Sequence, residues 1–497
     1  MVFQSLEYLV FFAIVLFGSV AFQTAGAAPA GRPWARRAEN LWLLVASYVF
    51  YGWVTHWWLI LIGLHTLVDY TCIRLMERQQ DPGRRRAVLA ASLIFSFLIL
   101  ATFKYFGFFV ENVTAALESV GVSSEWLASN AVARFLLSVG LPAGISFFTF
   151  QSAGYVIDVY RREEAPPRDL LDYAVFVAFF PQLVAGPIDR HGRLLRQVEK
   201  PRRFSAVQWR SGLVLILWGL LQKIVIADSA ALLADKVFAL ENPTFPILWA
   251  GVLCFGVQIY ADFSGYTDIA RGSARLLGID LMRNFNHPYL AQSPGDFWRR
   301  WHMTLSTWFR DYIFIPLGGS RNGAAVTIRN LVATFFISGL WHGASWNYVL
   351  WGLFHGALVA FWPWLARLVP VFGTAGGKAG VVLRVAVTFV LMHIGWLLFR
   401  EHNVTALGEA FALSPFEAPL SHWRMGLGLA AEAWLYGLPL IVLLPLLQYC
   451  GAIPSPGSPQ HLTWKWALLQ AAAAAACLLV ILFLRCEVGS DFIYFAF

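Results

Sequence analysis

Charge is scarce in this chain. Asp, Glu, Lys and Arg make up 13% of its 497 residues, about half of the roughly 25% that a soluble domain carries. No stretch is long and polar enough for a separate soluble domain. Cysteine is scarce too. The five copies, Cys72, Cys254, Cys450, Cys477 and Cys486, lack metal-type spacing and mostly lie in or beside apolar runs, which argues against a disulfide framework or a metal centre. A Gly-x-Ser-x-Gly nucleophile elbow, a P-loop and a His-Glu-x-x-His motif are all absent, so the chemistries that depend on them have no support.

What is present is apolar sequence, at 58% of the chain. Runs near 20 residues, each able to cross a hydrocarbon core of about 30 Å as a helix, recur near 6–22, 41–54, 57–75, 88–110, 133–158, 208–230, 244–262, 326–340, 346–368, 380–399, 430–449 and 464–484. They lack the alternation of barrel strands. The expected fold is therefore an all-α polytopic membrane protein with about 11–12 transmembrane helices. Glu7 and the lack of Lys or Arg before the first run mark it as a retained span rather than a cleaved leader. The net charge of +8 is spread between apolar runs and reads as topology, not as a nucleic-acid surface. Arg32, Arg36 and Arg37 before the pair 41–75 and Arg84, Arg85 and Arg86 after it place both flanks in the cytoplasm and the N-terminus outside. The acidic connection 111–132, with Glu111, Glu118 and Glu125, fits an external loop.

Two stretches break the rhythm. Tyr173 to Ile188 is short and apolar, carries Pro181 and Pro187, and is bounded by basic residues, which suits a re-entrant segment shielded by protein. The stretch 263–325 mixes seven arginines with many aromatics and suits short helices at the cytoplasmic interface.

Ionisable groups within apolar sequence are the natural functional candidates. His56, His191, His402, His422 and His461 fall in loops or at span ends, while His65 and His393 sit singly in apolar helices where a structural hydrogen bond suffices. His342 stands at a junction of two spans between Trp341 and Trp346, beside Gly339, Gly343 and Ala344. A neutral imidazole there is able to take a proton from a hydroxyl that attacks an acyl carbon; a bond to a backbone carbonyl is the competing reading. His302 follows Arg299, Arg300 and Trp301. Those arginines either attract the phosphates of an activated acyl donor or anchor an interfacial helix beside Trp298 and Trp301. Asp311 is placed either to orient an imidazole or to pair with Arg310. Asp262, Ser264, Tyr266 and Asp268 cluster after a span, where helix capping competes with substrate contact.

The ordered run Arg283-Asn284-Phe285-Asn286-His287-Pro288-Tyr289, Asp296-Phe297-Trp298-Arg299-Arg300-Trp301-His302, Trp308-Phe309-Arg310-Asp311-Tyr312 and Pro316-Leu317-Gly318-Gly319 resembles the signature of the membrane-bound O-acyltransferase family. Asn40 to Tyr51, Phe179-Phe180-Pro181-Gln182, Ala185-Gly186-Pro187, Trp341-His342-Gly343 and the ending Phe492 to Phe497 extend the likeness, although Ala496 stands where relatives often carry a polar residue. The resemblance implies one membrane domain, with N-terminal helices over 1–132, a catalytic core over 133–400 and C-terminal helices over 401–497. It also implies re-entrant and interfacial helices around a central tunnel in the bacterial inner membrane. On this resemblance His342 is the catalytic histidine and His302 the second characteristic polar position, with Arg299, Arg300, Trp301, Trp341 and Asp311 as substrate-binding candidates. It further implies no permanently bound cofactor, acetyl-coenzyme A as donor, an exported polysaccharide such as alginate as acceptor, and a periplasmic acetyltransferase as partner protein. D-alanyl or longer-acyl transfer on the same fold, or a membrane transporter, are the alternatives.

Overall fold

The computed structural model describes residues 1–26, 33–53, 55–123, 130, 141–190, 192–373, 375–449, 464–486, 489–490 and 492–493. The first part of the expected span 133–158, the residues Arg32, Glu125, His191, Cys450 and His461, and most of the ending Phe492 to Phe497 lie outside this set. No strand occurs among the described residues. Nine of their helical segments are long and apolar enough to cross a membrane. The chain divides into two compact units, Met1–Phe204 with Leu277–Leu281, and Ser205–Leu276 with Met282–Phe497.

The first unit contains α1 (Leu6–Gly26), α2 (Pro33–Gly52), α3 (Trp58–Arg78), α4 (Pro82–Lys104), α5 (Phe106–Ser119), α6 (Ile145–Arg161), α7 (Leu170–Ala178), α8 (Phe180–Leu183) and α9 (Arg193–Val198). The expected span 88–110 is split at Tyr105 into α4 and α5. The stretch expected to be re-entrant is indeed broken, with α7 and α8 separated at Phe179 ahead of Pro181, whose ring cannot continue the ladder. Every residue from Tyr173 to Asp189 is buried, and protein groups satisfy the interrupted backbone. The Phe180 N–H donates to Ser47 Oγ at 3.1 Å, and Gln182 Nε2 donates to the Pro187 carbonyl at 2.6 Å.

Polar knots replace water inside this unit. Arg202 donates to Glu39 and Asn40, and Asn40 and Arg36 both donate to Asp172. Buried charges are tolerable when they are paired and hydrogen-bonded in this way. His65 belongs to a second knot, with its Nε2 2.5 Å from Ser152 Oγ and 3.1 Å from Asp69 Oδ2. One nitrogen serves both neighbours, so this is a structural clasp and not a relay, as expected of a lone histidine in an apolar helix.

The second unit holds α10 (Ala206–Leu221), continued through a π-helical stretch, Gln222–Ala227, into α11 (Asp228–Phe238), then α12 (Phe245–Leu276), α13 (Pro294–Trp298), α14 (Met303–Phe309), α15 (Ala324–His342), α16 (Trp346–Leu368), α17 (Gly377–Arg400), α18 (Val404–Ala412), α19 (Leu420–Leu438), α20 (Leu444–Tyr449) and α21 (Trp464–Leu484). The expectation for 263–325 needs correction at its start. Phe263–Leu276 is the second half of the 32-residue α12 and is largely buried, and the short helices begin only at Pro288. Continuous apolar packing on α10 overrides the arginines. α10 and α12 touch backbone to backbone at two levels. A Cβ on Gly219 would stand 2.6 Å from the Gly265 carbonyl oxygen, and one on Gly272 2.6 Å from that of Gly212. Small residues at a seven-residue interval permit that approach within a membrane.

Candidate functional site

His342 is the last residue of α15 and is 5% exposed. The α15–α16 hairpin carries it into the interior because two glycines let the helices meet without side chains. A Cβ on Gly339 would overlap the Tyr348 carbonyl, and one on Gly352 would overlap that of Phe335. Asn347 Nδ2 then donates to the Leu398 and Phe399 carbonyls at 3.1 and 3.3 Å, fastening the start of α16 to the end of α17. The result is an imidazole ringed by Trp341, Trp351 and Phe399, with centroids 4.9, 4.8 and 5.2 Å away.

His302 reaches the same cluster from another direction. It precedes α14 with φ +39°, a left-handed conformation uncommon for a non-glycine residue. Two backbone bonds hold it there, from Met303 N–H to the Asn284 carbonyl and from Asn286 N–H to the Arg300 carbonyl, each 2.9 Å. Thr304 also donates to Asn284 Oδ1 at 2.6 Å. Strain retained by its surroundings in this way is a recurrent property of functional positions. The ring is 1% exposed and packs against Phe263 at 4.7 Å and Trp341 at 5.9 Å. Burial pushes its pKa down to about 3, so His302 is a neutral imidazole at physiological pH.

The remaining candidates separate. Trp341 touches both histidines. Trp301 is fully buried, stacked on Phe297 at 5.5 Å and packed on Trp396 at 4.8 Å, and so is part of the core and not of an interface. Arg300 pairs with Asp296 at 3.0 Å, while Arg299 lies 3.9 Å from the same carboxylate with its side chain 74% exposed. Asp311 pairs with Arg310 at 2.7 Å, the second of the two readings its position allowed. Asp262, Ser264, Tyr266 and Asp268 are no helix cap, since α12 runs through them. Asp262 meets Lys223 at 3.1 Å, Ser264 bonds Gln222, Tyr266 stacks on Phe492 at 4.2 Å, and Asp268 accepts from Arg271 at 2.9 Å.

Two features were not foreseen. Lys223, in the π-helical stretch, bridges Asp228 at 2.9 Å and Asp262, and donates to the Ser490 carbonyl at 2.8 Å. The Ile493 N–H donates to Asp262 at 2.6 Å and Phe492 packs on Phe263 at 6.1 Å, so these two residues are held beside the ring that packs on His302. His355 packs on Trp298 and Trp351 at 5.1 and 4.8 Å, and neither ring nitrogen has a hydrogen-bond partner among the described residues, which makes it a packing residue behind His342. His393 Nδ1 donates to the Phe389 carbonyl at 2.8 Å, a structural bond as expected. No group of three or more potential metal-ligating side chains occurs among the described residues.

Residues 161–400 match the model of the membrane-bound O-acyltransferase family. The chain is 40% identical over 380 residues to the probable alginate O-acetylase of Pseudomonas syringae pv. tomato, covering 76% of this chain and 70% of that protein. It is 34% identical over 396 residues to the peptidoglycan O-acetyltransferase of Helicobacter pylori, covering 73% and 71%. Likeness to the teichoic acid D-alanyltransferase of Bacillus subtilis is lower, 29% over 274 residues, covering 52% and 68%.

Proposed function

The chain belongs to the membrane-bound O-acyltransferase family, and from that premise we propose that it moves acetyl groups from a cytoplasmic thioester, acetyl-coenzyme A, to hydroxyls of an exported polysaccharide such as alginate. The observation that carries this reading is the pair of buried imidazoles, His302 and His342, in contact with one indole ring. His342 takes the proton of the acceptor hydroxyl as its oxygen attacks the thioester carbonyl carbon. The carbon–sulfur bond breaks, and the thiolate leaves and is reprotonated. The C-terminal end of α15 favours positive charge, which suits a residue that becomes an imidazolium during the reaction. His302, neutral and held in place, assists proton traffic or acyl positioning.

The protein is a multi-pass membrane acyltransferase; the inner membrane is its proposed location. The acetyl group passes to the polymer directly or through a periplasmic acetyltransferase partner. The likeness to acetyl-transferring relatives spans more of the chain than the likeness to the D-alanyl-transferring one, which favours acetyl as cargo. A transporter reading also accommodates buried histidines beside a re-entrant segment, but it predicts transport that persists without any acyl donor.

The test is ester-linked acetate on the exported polysaccharide in cells lacking the protein, carrying wild type, or carrying His342→Ala at matched membrane levels. Acetate restored only by wild type is the expected result. Full acetylation by His342→Ala would remove His342 as the base, and no acetate with wild type would redirect the cargo to D-alanyl or longer acyl groups.

A further inference from the structure

Along α12, Tyr260, Ser264, Thr267, Asp268 and Arg271 share one face. They line a cleft whose opposite wall includes Arg283, Asn284 and His287. The polar groups of this cleft are almost all engaged with one another. Asp268 accepts from Arg271 at 2.9 Å and from Gln222 at 3.1 Å. Asn284 spans Thr267 and Thr304, and His287 Nε2 meets Gln448 Oε1 at 3.0 Å.

Arg283 is the exception. Its side chain lines the cleft, yet it makes no hydrogen bond or ion pair among the described residues. Burial lowers its pKa, with Asp268 pulling the other way and Arg275 adding repulsion. A half-buried guanidinium whose five donors are unspent within the protein is open to an anion, and its planar fork matches the oxygens of a phosphate. Asp268, the carboxylate of this cleft, is already held by Arg271, so the pair of arginines leaves a net positive charge.

The cleft is coupled to the reaction centre. Arg283 adjoins Asn284, whose carbonyl and side chain hold the His302 segment. On α12, Arg271 lies eight residues beyond Phe263, the ring packed on His302, or about 12 Å along the axis, which an extended pantetheine arm is able to span. Of the two arginines that the sequence offers for the same task, Arg300 is paired with Asp296 at 3.0 Å, while Arg299 is largely exposed.

We infer that the Arg283 cleft binds a phosphate ester, that of the pantetheine arm of the acyl donor, and so aims the thioester at His302. This rests on the proposed donor being a pantetheine thioester, but not on acetyl as the cargo, since a D-alanyl thioester on a carrier protein's pantetheine arm presents the same phosphate.

The test uses the full chain purified in neutral detergent and reads binding without turnover, with 4′-phosphopantetheine, pantetheine, coenzyme A and phosphatidylglycerol as probes. Wild type should bind 4′-phosphopantetheine at least about tenfold tighter than pantetheine, the equivalent of one charge-assisted hydrogen bond. Arg283→Gln should abolish that difference and Arg283→Lys should keep part of it, with ligand-free melting temperatures of all three matched. Equal binding of the two pantetheines by wild type, or an undiminished difference in Arg283→Gln, overturns the inference. Dependence on Arg283 for phosphatidylglycerol alone would assign the cleft to a lipid headgroup and overturn the donor assignment. None of these outcomes bears on acetate transfer through His342, which the polysaccharide assay reads separately.

Discussion

His302 and His342 contact the same indole ring, that of Trp341, at centroid distances of 5.9 and 4.9 Å. They approach it from different helices, so the indole sets their spacing. Trp341→Ala is expected to lower polysaccharide acetylation at least about tenfold, because misplacing a catalytic group by about 1 Å costs roughly 100-fold. Trp341→Phe should retain most of the activity. His302→Ala should fall further than Trp341→Phe at matched membrane levels, and equal loss in the two would show that His302 contributes no more than packing.

The spans and the broken segment were legible in the sequence because each depends on local pattern, apolar length and proline in an apolar run, and the burial of His302 and His342 follows from the aromatics that frame them. What was not legible depends on distance in the chain. Lys223 sits in what reads as one apolar span, and its partners Asp262 and Ser490 are far along the sequence. The engagement of Arg300 was available in principle, since Asp296 lies four residues before it. The open state of Arg283 was not, because it is defined by the partners it lacks in space. His355 drew no notice in the sequence, and its aromatic surroundings explain why it needs no chemistry there.

Two buried groups should make stability depend on pH in opposite directions. His302 falls from an ordinary 6.5 to about 3, so folded and unfolded chains agree above pH 6.5, and stability is lost as pH falls from there toward 3. Burial raises the Asp189 carboxyl from 3.8 to about 7, against the Leu194 N–H that it accepts at 2.8 Å. Its contribution is complete below 3.8 and is lost as pH rises toward 7. Each slope is at most about 1.4 kcal/mol per pH unit. In detergent, Asp189→Asn should match wild type near pH 4 and melt higher at pH 8, and His302→Gln should flatten the acid side. An Asp189→Asn profile parallel to wild type throughout would remove Asp189 from this account.

Lys223 holds two carboxylates and the segment around Ser490. Removing one member of a buried ionic cluster costs about 3–5 kcal/mol, because the remaining charges lose their partner. Lys223→Met should therefore lower the melting temperature and expose the 490–493 segment to protease. Adding Asp228→Asn and Asp262→Asn to Lys223→Met should restore much of the melting temperature. A protease pattern unchanged in Lys223→Met would show that the segment is held by its aromatic contacts alone.

The glycine contacts bring the backbones of α10 and α12 together, since Gly212 and Gly219 lie directly on Gly272 and Gly265. The two helices therefore form one close-packed wall. The far wall of the Arg283 cleft, by contrast, meets α12 through side chains such as Asn284 on Thr267. The cleft thus pairs a close-packed wall with one joined through side chains, and in the binding mode we infer the donor's phosphate sits beside the loop that also carries the backbone bonds to His302.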